Sequence, residues 1–222
     1  MYIYFLRLEL CMRFSKRESI SKEEENYIRF TAYDALVEFG ERSLPVLSEF
    51  DRIIHSTIFI FSMQSISRRL GHNEDYFSIG DKGIGIYVSL TGHHVLLYND
   101  KLPSFEIRWT IARLLYLVIS GKLEKEPDMF HYADCPEDME RCDLFACYFT
   151  CPDIILDTCE IHSASDIINY CGIPFSYADK KSRALEKAAN TNIQSLQPIE
   201  EILKNHFAMF IEHKSKHKVE RK

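Results

Sequence analysis

Residues 103–121 read PSFEIRWTIARLLYLVISG and carry the longest apolar helical pattern of the chain. Apolar side chains recur at helical spacing from Ile107 to Ile119, and Gly121 ends the run. A helix that is apolar on nearly every side lies inside a protein, because no face of it favours water. We therefore expect a central buried helix here, with the rest of the chain packed around it.

A β-hairpin is predicted just before this helix. The runs IYVSL at 86–90 and HVLLY at 94–98 are rich in strand-forming residues and are separated by Thr91-Gly92. A further short strand is expected at 57–61, TIFIF. Gly83 and Gly85 indicate a turn rather than a phosphate loop, since no third glycine and no Lys-Ser/Thr pair follows them.

The other segments favour helices. Ser21 and Glu24 form the pattern of a capping box, which predicts that a helix begins at residue 22. Further helices are expected at 63–70, 137–151, 163–171 and 176–185, in one amphipathic segment from Ile199 to Phe210, and after Leu44-Pro45, with a charged loop at 122–136. The predicted fold is α+β and mostly helical, with a small antiparallel sheet and a late helical pair of helix-turn-helix proportions.

Composition excludes several classes of protein. The chain has 222 residues and a formal net charge of −6, which argues against a surface that binds nucleic acid all over. No window approaches 18 uncharged apolar residues, so we expect no membrane partner. The first residues include Arg7, Glu9 and Arg13, which break the apolar stretch of a secretory signal, so we expect a cytoplasmic protein.

The cysteines fit a reducing compartment. There are seven, and the six between Cys135 and Cys171 contain no C-x-x-C pair of the kind that marks a structural zinc site. We interpret them as small, reduced core residues. A metal or redox role is the alternative, with His131 and His162 flanking the cluster. His93 and His94 on the hairpin are expected to face solvent.

Element order and three motifs resemble the ImmA/IrrE family of bacterial metallopeptidases. The motifs are LLYND at 96–100, RWTIARLLYLVISG at 108–121 and RCDLFACYFTCP at 141–152, and the likeness spans residues 28–187 in element order. In the third motif Phe145, Ala146 and Pro152 keep the family's register, while Asp143 and Cys151 stand where the family has asparagine and methionine. The resemblance implies a zincin-like core.

The zinc motif of the resembled family is replaced in this chain. Where the family has HExxH, the sequence reads Arg113-Leu114-Leu115-Tyr116-Leu117, and the third ligand, a Glu, falls near Met139 or Arg141. Leucine has no lone pair, and a guanidinium does not lose the proton that coordination would require. From the degenerate positions Arg113, Leu114, Leu117 and Arg141 we predict no catalytic residues, no zinc and no enzymatic activity.

Arg113 would need a new partner in such a site. An unpaired buried guanidinium costs several kcal/mol, so we expect a salt bridge to Glu137, Glu140 or Asp143 that closes the old cleft. The resemblance divides the chain into an extension at 1–22, a metallopeptidase-like domain at 23–160, a helix-turn-helix-like subdomain at 161–190, and a C-terminal helix and basic tail at 191–222. The tail is expected to fray from Lys214.

The resemblance also implies a function. Members of the family cleave helix-turn-helix repressors encoded beside them on mobile elements, prophages or stress regulons. Our first hypothesis is therefore an inactive regulatory module that binds an Xre-type repressor. One alternative is an active zinc endopeptidase with a site rebuilt from ligand types at His131, Cys135, Cys142, Cys147 and His162. The other is a DNA-binding regulator that uses residues 163–187, including Lys180, Lys181, Arg183 and Lys187; we favour instead that this segment packs on the core.

Overall fold

The computed structural model describes residues 20–48, 57–74, 76–77, 82–189 and 196–219. Most of these residues are helical, and a small four-stranded sheet accompanies the helices, so the predicted α+β class is confirmed. Most of the predicted N-terminal extension lies outside the described residues. Within the described part, no helix has both the length and the hydropathy that a membrane span requires.

The elements are short, apart from three helices of 15 to 17 residues. The helices are α1 Lys22–Glu38, α2 Met63–Arg69, α3 Ser104–Ile119, α4 Lys122–Lys125, α5 Met139–Thr150, α6 Asp153–Thr158, α7 Ala164–Cys171, α8 Phe175–Ala189, α9 Gln197–His206 and α10 Ala208–Val219. The strands are β1 Ile58–Ser62, β2 Gly83–Val88, β3 His93–Tyr98 and β4 His131–Tyr132.

The sheet has the order β1-β3-β2-β4. Strands β2 and β3 form the predicted antiparallel hairpin, with Val88 opposite His93. Strand β1 pairs with β3 in parallel, so the sheet is mixed rather than wholly antiparallel. Strand β4 adds to β2 as a two-residue antiparallel edge. The predicted charged loop at 122–136 therefore contains α4 and β4, which sequence patterns miss because two and four residues carry no periodicity.

Helix α3 is the predicted central helix. Ten of its side chains are buried, and it packs against β2 and β3 on one side and against α5 on another. Gly83 and Gly85 lie within β2 rather than in the expected turn, on the face that meets α3. A Cβ atom at Gly83 would stand 2.5 Å from Cγ2 of Thr110, so the missing side chain lets helix and strand approach closely.

Helices α1 and α5 complete the core. The hydroxyl of Ser21 accepts a hydrogen bond from the backbone N–H of Glu24 at 3.1 Å, which confirms the predicted start of α1. Helix α1 packs along α5, and α5 packs along α3, which in turn contacts β2 and β3 of the sheet. Phe145 and Phe149 of α5 are fully buried.

The helix predicted after Leu44-Pro45 is absent from residues 43–48. That stretch is bent, and Leu47 has a φ of 53°, which a right-handed helix excludes. Burial of Val46 and Leu47 satisfies their apolar side chains without a helix. The rest of the predicted helix, including Phe50 and Ile54, lies outside the described residues.

The late helical pair forms as predicted. The Ser163 hydroxyl caps α7 by accepting from the backbone N–H of Asp166 at 3.1 Å, and Gly172 ends that helix with a left-handed φ of 59°. The predicted C-terminal helix is divided at the buried Phe207 into α9 and α10. The tail was expected to fray from Lys214, but α10 continues to Val219 and the Lys214 ammonium lies 3.5 Å from the Tyr170 ring centre.

Candidate functional site

Arg113 and Asp143 meet where α3 crosses α5. The guanidinium places Nε 2.6 Å and Nη2 2.5 Å from Oδ1 of Asp143, and the Arg113 side chain is only 9% exposed. Of the three acidic partners expected for Arg113, Asp143 is the one that forms this ion pair. Helix geometry brings the pair together, because both residues lie on the facing sides of two helices in contact.

Two further side chains complete the same cluster. The indole Nε1 of Trp109 donates to Oδ1 of Asp143 at 3.0 Å, and the hydroxyl of Tyr177 on α8 donates to Oδ2 at 2.8 Å. The Trp109 and Tyr177 rings are 4.2 Å apart between centroids. We call Trp109, Arg113, Asp143 and Tyr177 the Arg113 cluster. Its donors engage both oxygens of the carboxylate.

The surroundings of the Tyr177 phenol keep it protonated. Burial raises the pKa of Tyr177 to about 12, and the hydrogen bond to Asp143 with its negative charge acts in the same direction. The phenol therefore stays protonated and remains a donor at neutral pH. The paired guanidinium has no electron pair to offer a metal ion. Its contacts with Asp143, and those of Trp109 and Tyr177, join α3, α5 and α8.

The other degenerate motif positions do not join this cluster. Leu114 and Leu117 are buried in the core, and Leu114 contacts the face of β2 that carries the two glycines. Arg141 pairs with α1 instead, with its Nε 2.6 Å from Oε1 of Glu24. Arg113 thus stabilises the contact between α3 and α5, and Arg141 the contact between α5 and α1.

Lys181 is buried rather than available to DNA. Only 4% of its side chain is exposed, its ammonium pairs with the Asp153 carboxylate, and it lies 4.5 Å from the centre of the Tyr148 ring. Burial opposes its charge most strongly of all single effects, but the Asp153 carboxylate together with Cys147, Tyr33 and Tyr148 favours the ammonium, and the pKa of Lys181 is raised. This corrects the alternative that counted Lys181 among the phosphate contacts.

A further contact attaches the late helical pair to the core, because Nη2 of Arg108 donates to the carbonyl oxygen of Gly172 at 2.9 Å. Within the pair, the Ser182 hydroxyl donates to the carbonyl oxygen of His162 at 2.7 Å. On the outer side of α8, Arg183 pairs with Asp179 at 3.0 Å. The two-helix unit α7–α8 therefore packs against the core through α8. This is the helix that would have to enter a DNA groove.

The cysteines are mostly interior thiols, as expected. Cys142, Cys151, Cys159 and Cys171 are buried, while Cys135 and Cys147 are partly exposed, and all six are free thiols. Burial raises the pKa of Cys142 and of Cys147 to about 12. Protonated thiols are poor nucleophiles and poor metal ligands, so these groups are suited to packing.

The ligand types proposed for a rebuilt metal site do not converge. His131 and Cys135 share one cleft, whereas His162 is exposed beside Asp157 and Cys142 lies in the core. Across the described ranges, no three His, Cys, Asp or Glu side chains are grouped to hold a metal ion.

The hairpin histidines depart in part from expectation. His94 is buried, and its Nε2 lies 3.0 Å from Oε1 of Glu124, because β3 is an inner strand and this side faces α3 and α4. Only His93 is partly exposed, beside the Phe59 ring. The prediction of a solvent-facing pair was wrong for His94.

A cleft of about 200 Å³ opens beside Leu117, where α3 gives way to α4. Strand β4 and the start of α5 supply its other walls, with charged side chains at Lys122, Glu126, Glu137 and Asp138. Sequence reasoning did not identify this cleft. The composition of 122–138 is charged, but only the pairing of β4 with β2 brings these residues around Leu117.

The residues on which the expected ImmA/IrrE resemblance depends lie on α3 and α5. Arg108 to Ala112 precede the degenerate zinc motif on the first helix, and Phe145 and Ala146 lie on the second. Comparison of the chain with protein-family models, with curated proteins and with solved structures finds no match.

Proposed function

We propose that this chain is a catalytically inactive regulatory protein of the ImmA/IrrE type that binds a protein partner. The partner proposed is an Xre-type helix-turn-helix repressor of a mobile element or stress regulon, met in the cytoplasm. The observation that carries the inactive part of the proposal is the Arg113–Asp143 pair. The choice of partner follows from the family resemblance.

The Arg113 cluster supports loss of hydrolysis on chemical grounds. Zinc hydrolysis needs lone-pair ligands, an open coordination position and a base that accepts a proton. Arg113 offers none of these, and its charge repels a cation at the position of the family's first ligand. Leu114 replaces the base and Leu117 the second ligand, both inside a packed core.

DNA binding through residues 163–187 is less favoured. A phosphate-binding face needs several exposed cations, because affinity comes from neutralising phosphates. Lys181 is buried against Asp153, and Arg183 is paired with Asp179. These contacts leave α8 better suited to packing than to groove contact.

The proposal is tested with the purified chain and a purified Xre-type repressor whose gene adjoins its own. Size-exclusion chromatography with light scattering is expected to show a stoichiometric complex in which the repressor stays intact for hours in added zinc. Repressor cleavage that a chelator abolishes would overturn the inactive assignment. Elution of the two proteins as separate species at micromolar concentration would overturn the partner assignment.

A further inference from the structure

The cleft beside Leu117 carries more negative than positive charge. Its lining includes the carboxylates of Glu126, Glu137 and Asp138 and one ammonium, that of Lys122. Lys122 pairs with Asp138 and stands 4.0 Å from Oε2 of Glu137. Three carboxylates against one ammonium leave a surplus of two negative charges, and Glu126 does not contact that ammonium. The cleft therefore favours a cationic group.

A mostly buried histidine side chain in the same cleft has one ring nitrogen without a hydrogen-bond partner. The His131 side chain is 9% exposed, and its Nε2 makes no hydrogen bond. Oε2 of Glu126 is 3.6 Å from this nitrogen, which is beyond hydrogen-bond distance. Buried polar atoms are nearly always satisfied, and with the ring proton on Nδ1 this nitrogen is free to accept a hydrogen bond from a group bound in the cleft.

The remaining walls are apolar. Leu117 and Phe130 line the cleft together with the ring of Tyr132. Its volume of about 200 Å³ is several times the roughly 30 Å³ that one water occupies, and below the roughly 300 Å³ of the smallest drug-sized pockets. An alkyl chain with a cationic end fits this combination, since its stem would contact the apolar walls and its head the carboxylates.

The position of β4 favours a ligand that is carried on a polypeptide. Strand β4 is an edge of the sheet, and it supplies His131 and Tyr132 to the cleft. An extended peptide can add to such an edge through its main chain while one of its side chains enters the neighbouring pocket. A free amine would lack those main-chain bonds and bind more weakly.

We propose that this cleft binds the alkyl-guanidinium or alkyl-ammonium group of an arginine or lysine side chain presented by the partner protein. The inference rests on the proposed function in one respect: it assigns the chemistry by which a partner is held. The cationic head lies between Glu126, Glu137 and Nε2 of His131, and the stem lies along Leu117 and Phe130.

The first test uses small probes on the full chain. Butylguanidinium is titrated while the imidazole C–H resonances of His131 are followed by NMR, and neutral butylurea, which has nearly the same shape, is the matched control. Saturable shifts with the cation alone support the inference. Equal shifts with butylurea, or no saturable shift with either probe, overturn it.

The second test separates a peptide-borne side chain from a free cation. The peptide acetyl-Ala-Ala-Arg-Ala-Ala-amide is expected to bind at least about tenfold more tightly than butylguanidinium, and the peptide with citrulline in place of arginine at least about tenfold more weakly than its parent. Equal affinity of the arginine and citrulline peptides overturns the role of charge. Equal affinity of the arginine peptide and butylguanidinium overturns the role of the β4 edge.

Variants of the cleft provide the control. Glu126→Gln with Glu137→Gln removes both surplus charges and is expected to weaken binding of the arginine peptide by about tenfold or more. Glu201→Gln changes an exposed carboxylate on α9 and is expected to leave the affinity unchanged. Unaltered binding by the double variant would overturn the site.

The repressor distinguishes this inference from the proposed function. If the repressor binds the wild-type chain and the double variant equally, the cleft assignment fails and the proposed function stands. If the arginine peptide binds but no repressor does, the partner assignment fails and the cleft assignment stands. Loss of repressor binding in the double variant, with the Glu201→Gln chain unaffected, supports both.

Discussion

Both Nε and Nη2 of Arg113 rest on a single oxygen of Asp143, at 2.6 and 2.5 Å. The indole of Trp109 reaches the same oxygen and the phenol of Tyr177 reaches the other, so three helices meet on one carboxylate. A cation held in this way stabilises the contact between α3 and α5. Under the proposed ImmA/IrrE resemblance, Arg113 takes the position of the family's first zinc ligand.

Replacing Arg113 with methionine is expected to destabilise the chain by about 3 kcal/mol. Methionine keeps much of the side-chain volume, but Asp143 is then left mostly buried without its ion-pair partner. Urea denaturation followed by circular dichroism measures the loss. Arg183→Met is the control, since the Arg183–Asp179 pair is exposed and contributes at most about 0.5 kcal/mol.

The double variant R113M/D143L separates the pair from simple packing. It is expected to be less destabilised than the sum of the two single variants, because neither charge is left alone. Additive single effects would mean that the ion pair contributes no coupling energy, which would contradict the role given to Arg113.

The sequence predicted that Arg113 needs an acidic partner. It also predicted the three candidates, Glu137, Glu140 and Asp143. A guanidinium in an apolar helix requires a carboxylate nearby, and residues 137–143 supplied three candidates within one segment. The choice among them did not follow, because it depends on how α5 is rotated against α3. Trp109 and Tyr177 were missed for the same reason, since their contact with Asp143 needs α8 to pack beside both helices.

Lys181→Met is expected to cost about 3 kcal/mol of unfolding free energy, because Asp153 would keep its charge beside an apolar side chain. Lys180→Met, at the neighbouring exposed position, is expected to change stability by less than about 0.5 kcal/mol. Thermal and urea denaturation of both variants give the comparison. Equal and small effects would show that Lys181 is not buried in this pair.

The sequence could not separate Lys180 from Lys181. Both belong to a helix with apolar and charged positions, and a lysine is exposed far more often than buried. Lys181 is buried because its ammonium pairs with Asp153 and contacts the Tyr148 ring. Both residues are far from Lys181 in the sequence, so no local pattern indicates these contacts. The α7–α8 pair itself was predictable, since Ser163 and Gly172 mark its boundaries locally.

Gly83→Ala is expected to destabilise the fold by about 2 kcal/mol through overpacking. The added Cβ would stand 2.5 Å from Cγ2 of Thr110, on a helix that packs against the strand. Gly85→Ala is expected to cost less, since its nearest atom is 3.2 Å away at the end of the Leu123 side chain. Denaturation midpoints rank the two variants, and a larger loss for Gly85→Ala would contradict the described packing of α3.

Stability is expected to fall at alkaline pH through Cys142. Burial raises the pKa of this thiol from about 9 to about 12, so the folded chain keeps the proton that the unfolded chain loses. The contribution is complete below about pH 9 and decreases by up to about 1.4 kcal/mol per pH unit as the pH rises toward 12. Urea denaturation between pH 8 and pH 11 should show a steeper decline for the wild type than for Cys142→Ala. Parallel curves would contradict burial of the protonated thiol.

We have proposed that Arg113, Leu114 and Leu117 leave the α3–α5 contact without the means to coordinate zinc. The most direct measurement is the zinc-to-protein ratio by elemental mass spectrometry after dialysis against zinc and then buffer. We predict fewer than about 0.1 zinc ions per chain, because Asp143 is already paired with Arg113 and the described residues include no group of three His, Cys, Asp or Glu side chains placed to hold a metal ion. One tightly held zinc ion per chain, retained through dialysis and bound between α3 and α5, would contradict it.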